Sequence, residues 1–498
     1  MEYIHRPKRK GVRFSKNQWR VIMLLNAVII VLLVPYFVIR ILPAVAPPGD
    51  DNNGGNIYTP GGAVFSRYRD ARQSLNPMID WEINIGGEGN DIPQAIINHG
   101  THIHVLIVTN STQFDFDDEV TAGSRLYMVT LSPQGATIGF VRVASGTNLN
   151  VVSAKAWGSG TLIVYNSLTG ATAAHIACDG EVIASYIAPG RTAVYLSPYQ
   201  SQRVIMVTRR DQGVFPSSLT LHVLSERLVS IGGISLSTDQ INMSLDFISV
   251  FESVHTPSNF VVFATNTTDG HPVIFEFGSI AHPRYHDLRF PHLPNFAAQD
   301  IIPISGTAGE VFAMIGTADG IPHLVTVRFA DGIFAAHSHT PLGGIMQINS
   351  VSSIRFVYID SHEGDPTIYI IATNAGGSNA VRLNRTGTLS TGGNLTALSP
   401  IAHIAHYILN RPGSPVNESL LFGSDLDANL FLTRLSPTAA TTVTTFGGSG
   451  QDIAIAATLT DRGIMTVAST TSGAGDRQDG DIGGNFGGID TWVALIPL

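Results

Sequence analysis

The chain has 498 residues, 50 of them Gly and 26 Pro, with 13% charged residues and a formal net charge of −9 at pH 7. This length can bury a large core and hold several domains, and the acid excess excludes a basic nucleic-acid-binding surface. A single cysteine, Cys178, excludes an intrachain disulfide framework and a cysteine-based metal site, and it reads as a small buried residue just before a turn.

Seven Lys/Arg fall within residues 1–20, and the nineteen residues that follow, VIMLLNAVIIVLLVPYFVI, hold Asn26 as their only strongly polar member. A helix of about 20 apolar residues crosses the roughly 30 Å hydrocarbon core, so residues 21–43 are expected to form a transmembrane signal anchor. The positive-inside bias makes residues 1–20 a cytoplasmic basic tail and puts the remainder outside. A cleaved signal peptide competes with this reading, but the apolar run is long for one and PAVAP is a poor cleavage site. Residues 44–76 are a linker whose Pro/Gly/Asn/Asp start is too poor in apolar residues to pack, with a short helical lead-in at 63–76. Beyond residue 40 the balance is 21 basic to 37 acidic residues, which suits a soluble exported domain.

From 77 to 498 short Thr-, Ser-, Val- and Ile-rich runs alternate with turns, an all-β pattern. The stretches at 260–279 and 311–332 share Thr-x-Asp-Gly-x-Pro 50 residues apart, and those at 125–137 and 429–441 share Leu-Ser-Pro after a β run. The turns that close successive hairpins are marked by Leu131, Cys178, Leu224, Phe277, Phe329, Leu383, Leu435 and Leu495, a period near 52 residues. That period fits one four-stranded blade of a β-propeller. The expected fold is therefore a propeller of about eight blades over 77–498, or seven if 186–236 is not a separate unit. The chain ends after a third blade strand, DTWVALIPL, while the repeat region opens on an orphan strand, DWEINIGG. The orphan is expected to complete the last blade and close the ring.

The final 53 residues carry Phe446-Gly447-Gly448-Ser449-Gly450-Gln451-Asp452, a turn at Asp461-Arg462-Gly463-Ile464, a run from Thr466 to Ser472, and Gly487-Gly488-Ile489-Asp490-Thr491-Trp492-Val493. In this they resemble a type of bacterial surface β-propeller repeat, F-G-G-S-G-x-D … G-G-x-D-x-W-V. The first copy matches through Gly86-Gly87-Glu88-Gly89-Asn90-Asp91 and the strands after it. Arg462, where a second Gly is usual, and Ala494, where Lys is common, depart from the pattern. The resemblance implies a propeller at a cell surface and brings no catalytic residues with it.

Gly86, Gly87, Gly89 and Asp91, like Gly447, Gly448, Gly450 and Asp452, lack the helix that a phosphate loop needs. They read as a tight strand-to-strand corner whose Asp bonds nearby backbone N–H groups; with Trp492 they are the structural residues of the repeat. Asp476, Asp479, Asp481 and Asp490 offer hard oxygen ligands that calcium accepts, without an EF-hand frame, and FDFDDE at 114–119 occupies the matching loop of the first unit. No other cofactor is expected. His102/His104, His282/His286/His292, His337/His339 and His403/His406 are clustered, and His-x-His on a strand places both rings on one face. The pairs lack a third histidine or acidic partner in a recognisable frame, so they read as scattered strand residues. No Gly-x-Ser-x-Gly elbow is present. The expected function is a membrane-anchored extracytoplasmic scaffold that binds a protein or envelope glycan, with no nucleic-acid partner. The alternative is an extracellular glycan hydrolase or lyase with carboxylates drawn from several blades.

Overall fold

The computed structural model describes residues 78–497 apart from short connecting segments, among them 112–122, 253–259, 409–418 and 473–487. The tail, span, linker and lead-in expected over 1–76 lie outside the described residues, as do Asp115, Asp117, Asp118, Glu119, Asp476, Asp479 and Asp481. Among the described residues no helix is long and apolar enough to cross a membrane.

The described strands form eight four-stranded antiparallel sheets. In chain order their first strands are Asp91–Asn98, Asn150–Trp157, Thr192–Tyr199, Leu245–Glu252, Ala297–Ile304, Ser353–Ile359, Ile401–Ile408 and Asp452–Thr460, which open blades I to VIII. Each first strand touches the first strand of the next blade, and that of blade VIII touches that of blade I, so the eight close a ring around one axis. The fold is an eight-bladed β-propeller. The hairpin markers fall within the third strand of each blade or one residue past it, as with Leu131 in Ser124–Leu131 and Cys178 after Gly170–Ala177. Residues 186–236 hold most of a true blade, since blade III runs from Thr192 to Ser237.

Position in the blade explains composition. The second and third strands are sandwiched between neighbouring blades and are almost wholly buried, as in Ile103–Thr109 and Gly463–Thr470. Their sequences are accordingly near-continuous apolar runs of β-branched and small residues. Outermost strands alternate with solvent, as in Thr137–Gly146 and Val182–Pro189. The Asp319-Gly320 turn of blade V has φ 54 and φ 78; two consecutive left-handed residues make the turn that matches strand twist in a two-residue hairpin.

Closure is by the N-terminal strand. Trp81–Ile85 pairs antiparallel with Asp490–Pro497 and completes blade VIII as its fourth strand. Its two faces seal two different interfaces. Trp81, Ile83 and Ile85 pack with Ile103, Val105 and Val129 of blade I, whereas Glu82 on the other face accepts a 2.9 Å hydrogen bond from Trp492 Nε1. Trp492 is fully buried among Phe422, Leu430, Leu432 and Phe446 of blade VII.

Candidate functional site

The two Gly-Gly-x-Gly-x-Asp segments form the same corner twice. Asp91 Oδ2 accepts from Gly87 N at 2.7 Å and from Ser111 Oγ at 2.7 Å, and Oδ1 accepts from Thr109 Oγ1. Asp452 repeats this with Gly448 N at 3.1 Å, Ser472 Oγ at 2.9 Å and Thr470 Oγ1 at 2.6 Å. The third glycine donates its N–H to the same serine, Gly89 to Ser111 at 2.9 Å and Gly450 to Ser472 at 3.1 Å. A Cβ on Gly450 would sit 2.6 Å from Ser472 N, so only glycine allows this approach. The carboxylates thus gather three donors each at the mouth of the first hairpin, among them the glycine N–H that a bound anion would need.

Each corner also grips the preceding blade. Asp91 N donates to Ile489 O at 2.6 Å and Asp452 N to Ala428 O at 2.8 Å, both just ahead of a third strand. Thr491 Oγ1 adds a 2.8 Å bond to Asp91 O. Asp490 is fully buried at this junction, and a Cβ on Gly86 would fall 2.0 Å from its Oδ1. Asp490 therefore sits inside the closure of the ring. The equivalent place in blade I, opposite Thr109, is held by Arg125, which donates to Ser111 O. Burial raises the pKa of Asp91 and Asp452 above the usual carboxylate value, outweighing the hydroxyl and glycine N–H bonds that lower it.

Along the axis the first strands carry a recurring bulge, at Gln94, Val152, Val194, Ile248, Gln299 and Ile455. A bulge re-aims the extra side chain. At the two glutamines it reaches the next blade, with Gln94 Oε1 accepting from Val151 N at 3.2 Å and Gln299 Oε1 from Ile354 N at 3.1 Å. Asp300 beside Gln299 accepts from Phe356 N and Ile301 N, each at 2.8 Å. Burial raises its pKa, partly offset by those two N–H groups and Arg355.

Sequence reasoning missed two side-chain groupings. A cleft of about 220 Å³ on blade IV is lined by Asp269, His271, Arg289, Phe290, Leu293 and Phe296 among others. There His271 is held between Asp269 and Asp287, with Nε2 2.9 Å from Asp287 Oδ1. His286 instead packs edge-on against Phe334. The second grouping corrects the reading of His102/His104 and Cys178. His99 is a third histidine beside the pair, its ring 4.7 Å from His102 and 4.6 Å from His104. Cys178 is half-buried and lies against these rings. All three imidazoles are shifted down by burial, His104 to about 3. Burial and Asp179 push the Cys178 thiol up. The signal available in sequence was His99 in the turn ahead of His102; the blade-to-blade approach of Cys178 had none.

The outer edge is uneven. Of the ten exposed large apolar side chains among the described residues, seven (Ile138, Leu168, Val182, Ile183, Ile187, Val229 and Ile231) lie on blades I to III. The outer strands of blades II and III, VIASYIAP and SIGGISLS, contain no charged residue. In blade IV the outer strand is the charged RYHD, while those of blades V to VII, IFAAHSHTP, LTAL and ATTVTTF, are uncharged like those of blades II and III.

These sheets define the class, a β-propeller closed by its N-terminal strand. Among solved structures, the propeller of Dos1 is similar over 83% of this chain and 94% of its own, at 8% identity and a TM-score of 0.46. The β-propeller domain of the Trilobed protease from Pyrococcus furiosus is similar over 71% of this chain and 96% of its own, at 10% identity and a TM-score of 0.39. For the Pyrococcus horikoshii acylaminoacyl peptidase the shares are 77% and 59%, at 10% identity and a TM-score of 0.38. The chain thus spans little more than half of that peptidase. No protein-family model matches the chain, and no curated protein matches it in sequence.

Proposed function

We propose that the chain is a surface propeller of the repeat type it resembles, held outside a membrane by an anchor at 21–43, and that it binds a protein partner along the outer edges of blades II and III. The observation that carries this reading is the exposed apolar side chains on that edge, Val182, Ile183, Ile187, Val229 and Ile231. Outer strands present unpaired backbone groups, and proteins blunt them with charge, proline or a covering segment. Here Ile187 is 56% exposed and Ile231 53%, on neighbouring blades and without charged neighbours in their strands. Such an edge accepts an extended segment by strand addition, with apolar side chains supplying the anchors. Among the described residues, Val182, Ile183 and Ile187 of blade II and Val229 and Ile231 of blade III form this edge, in contrast to a lone surface apolar side chain.

The glycan hydrolase or lyase alternative needs carboxylates that face each other across the substrate. Asp91, Asp300 and Asp452 have raised pKa values on the first strands, but each is engaged by hydroxyls or backbone N–H groups of its own corner or next blade. Binding is therefore preferred. Calcium at Asp476, Asp479 and Asp481 stays within the proposal, supported by their hard oxygen ligands alone.

The test is capture from envelope extracts by the full-length protein and by its Ile183→Lys/Ile187→Lys/Ile231→Lys variant, each with and without calcium. A protein retained by the parent and reduced at least about tenfold by the variant, at unchanged unfolding temperature, is the expected result. Equal retention by both, or turnover of a glycan panel, would sink the edge-binding reading.

A further inference from the structure

Two turns from neighbouring blades meet at the end of the first strand opposite the Gly/Asp corner. In blade I the chain turns through Asn98-His99-Gly100-Thr101-His102, closed by His99 N–H to His102 O at 3.0 Å, with Gly100 at φ 81. In blade II it turns through Ala177-Cys178-Asp179-Gly180-Glu181, closed by Ala177 N–H to Glu181 O at 2.8 Å, with Gly180 at φ 92. A ligand atom from each of His99, His102 and Cys178 lies within 4.8 Å of the other two. Beneath them His104 is fully buried, its ring 4.8 Å from that of His102.

We propose that His99, His102 and Cys178 bind a divalent transition-metal ion of the zinc class that clips blade I to blade II. The hydrogen bonds already sort the nitrogens. His99 Nε2 lies 2.9 Å from Thr161 Oγ1, which leaves Nδ1 for the ion. His102 Nδ1 lies 3.0 Å from Thr101 Oγ1, and its Nε2 is buried without a hydrogen-bond partner. His104 Nδ1 lies 2.8 Å from the same Thr161 Oγ1, so His104 and Thr161 together hold His99 in place. That is the part outer residues play around a metal ligand. His104 also hydrogen-bonds the backbone of Cys178, which ties its ring to blade II.

A packed trio of imidazoles with an unused buried nitrogen on His102 is costly as plain core, because buried polar atoms ordinarily find partners. Two imidazoles and a thiolate suit zinc and its neighbours, whereas calcium and magnesium demand oxygen. Bond lengths of about 2.0–2.3 Å put tetrahedral ligand atoms roughly 3.3–3.7 Å apart. Closing from 4.8 Å asks for side-chain rotation in three half-buried turn residues and leaves the strands in place. A fourth position remains for water or a partner's ligand.

The experiment titrates the purified full-length protein with cobalt(II). A thiolate-to-cobalt band should rise to saturation at about one ion per chain and be bleached by zinc. Zinc should also protect Cys178 from alkylation in the parent protein, a readout that its being the only cysteine makes unambiguous. Cys178→Ser should lose the band, His104→Ala should weaken cobalt binding roughly 10- to 100-fold through the outer residues, and the exposed His292→Ala should leave it unchanged. Alkylation of Cys178 at the same rate with and without zinc, or cobalt affinity unaltered by Cys178→Ser, would overturn the proposal.

Discussion

Replacing Asp452 with alanine is expected to destabilise the propeller by about 3–4 kcal/mol, although the residue touches no ligand and lies at a blade boundary. The side chain accepts from Gly448 N, Thr470 Oγ1 and Ser472 Oγ, and it is fully buried. Alanine leaves those donors facing a small void, and each buried donor without an acceptor costs about 1–3 kcal/mol, less than additively. Over a cooperative unit of this length that loss lowers the unfolding midpoint by about 3–4 °C. Asp461→Ala, in the exposed turn nine residues on, should change it by less than about 0.5 kcal/mol. The pH dependence has a definite sign. Burial sets the pKa of Asp452 in the fold above its ordinary 3.8. The group's contribution is thus largest below that ordinary value and is lost as pH rises through the raised one. The gap between parent and Asp452→Ala should therefore widen as pH falls from 7 toward 4, as read by thermal unfolding across that range. A gap that narrows on acidification would mean that the hydrogen bonds outweigh burial.

The corner was legible because its chemistry is local and repeated. Asp91 meets Thr109 and Ser111 at separations of 18 and 20 residues, and Asp452 meets Thr470 and Ser472 at the same separations. One hairpin of fixed length brings aspartate, glycines and hydroxyls together, so the pattern survives as letters. The blade count was legible for a related reason. A third strand buried between neighbours must be apolar and must end in a turn, which is why markers such as Phe277 and Leu383 recur. The middle blades satisfy the same need with other residues. Gln299 and Asp300 tie blade V to blade VI through backbone N–H groups, a job that shows no motif because the partners lie about 55 residues away and are main chain.

The histidine and cysteine cluster was hidden by the same rule in reverse. Strand alternation pairs His102 with His104, yet His99 joins them through the turn, and Cys178 arrives from the third-to-fourth-strand turn of another blade. Blade packing decides that approach, and nothing in either segment alone requires it. His271 between Asp269 and Asp287 is a similar case, since one carboxylate comes from the turn and the other from the outer strand of blade IV. Residue type pointed to Asp490 as a surface ligand, whereas its position opposite Thr470 makes it part of the buried junction.

Ile83→Asp is expected to have the largest effect of any single substitution, because it acts where the ring is joined. Ile83 is 4% exposed, sits opposite Val493 in the closing pair, and packs with Trp81, Ile85, Val105 and Leu495. Removing the apolar side chain alone costs about 2–5 kcal/mol, and placing a carboxylate there without partners adds to it. The strand would leave, exposing the edge of Asp490–Pro497, whose first seven residues are buried and include Trp492, Val493, Leu495 and Ile496. An open edge of that composition pairs with other copies. The expected outcome is a midpoint lowered beyond that of any other variant here, with soluble aggregates on size exclusion. Ile83→Val, which keeps the strand and most of the volume, should cost only about 1 kcal/mol, and Ile321→Asp, at the exposed first position of the strand Ile321–Ala330 in blade V, should cost less than about 0.5 kcal/mol. A monomeric Ile83→Asp protein with the parent's midpoint would show that the eight blades hold together without their N-terminal strand. In that case the burial of Trp81 to Ile85 would follow from ring assembly without contributing to it.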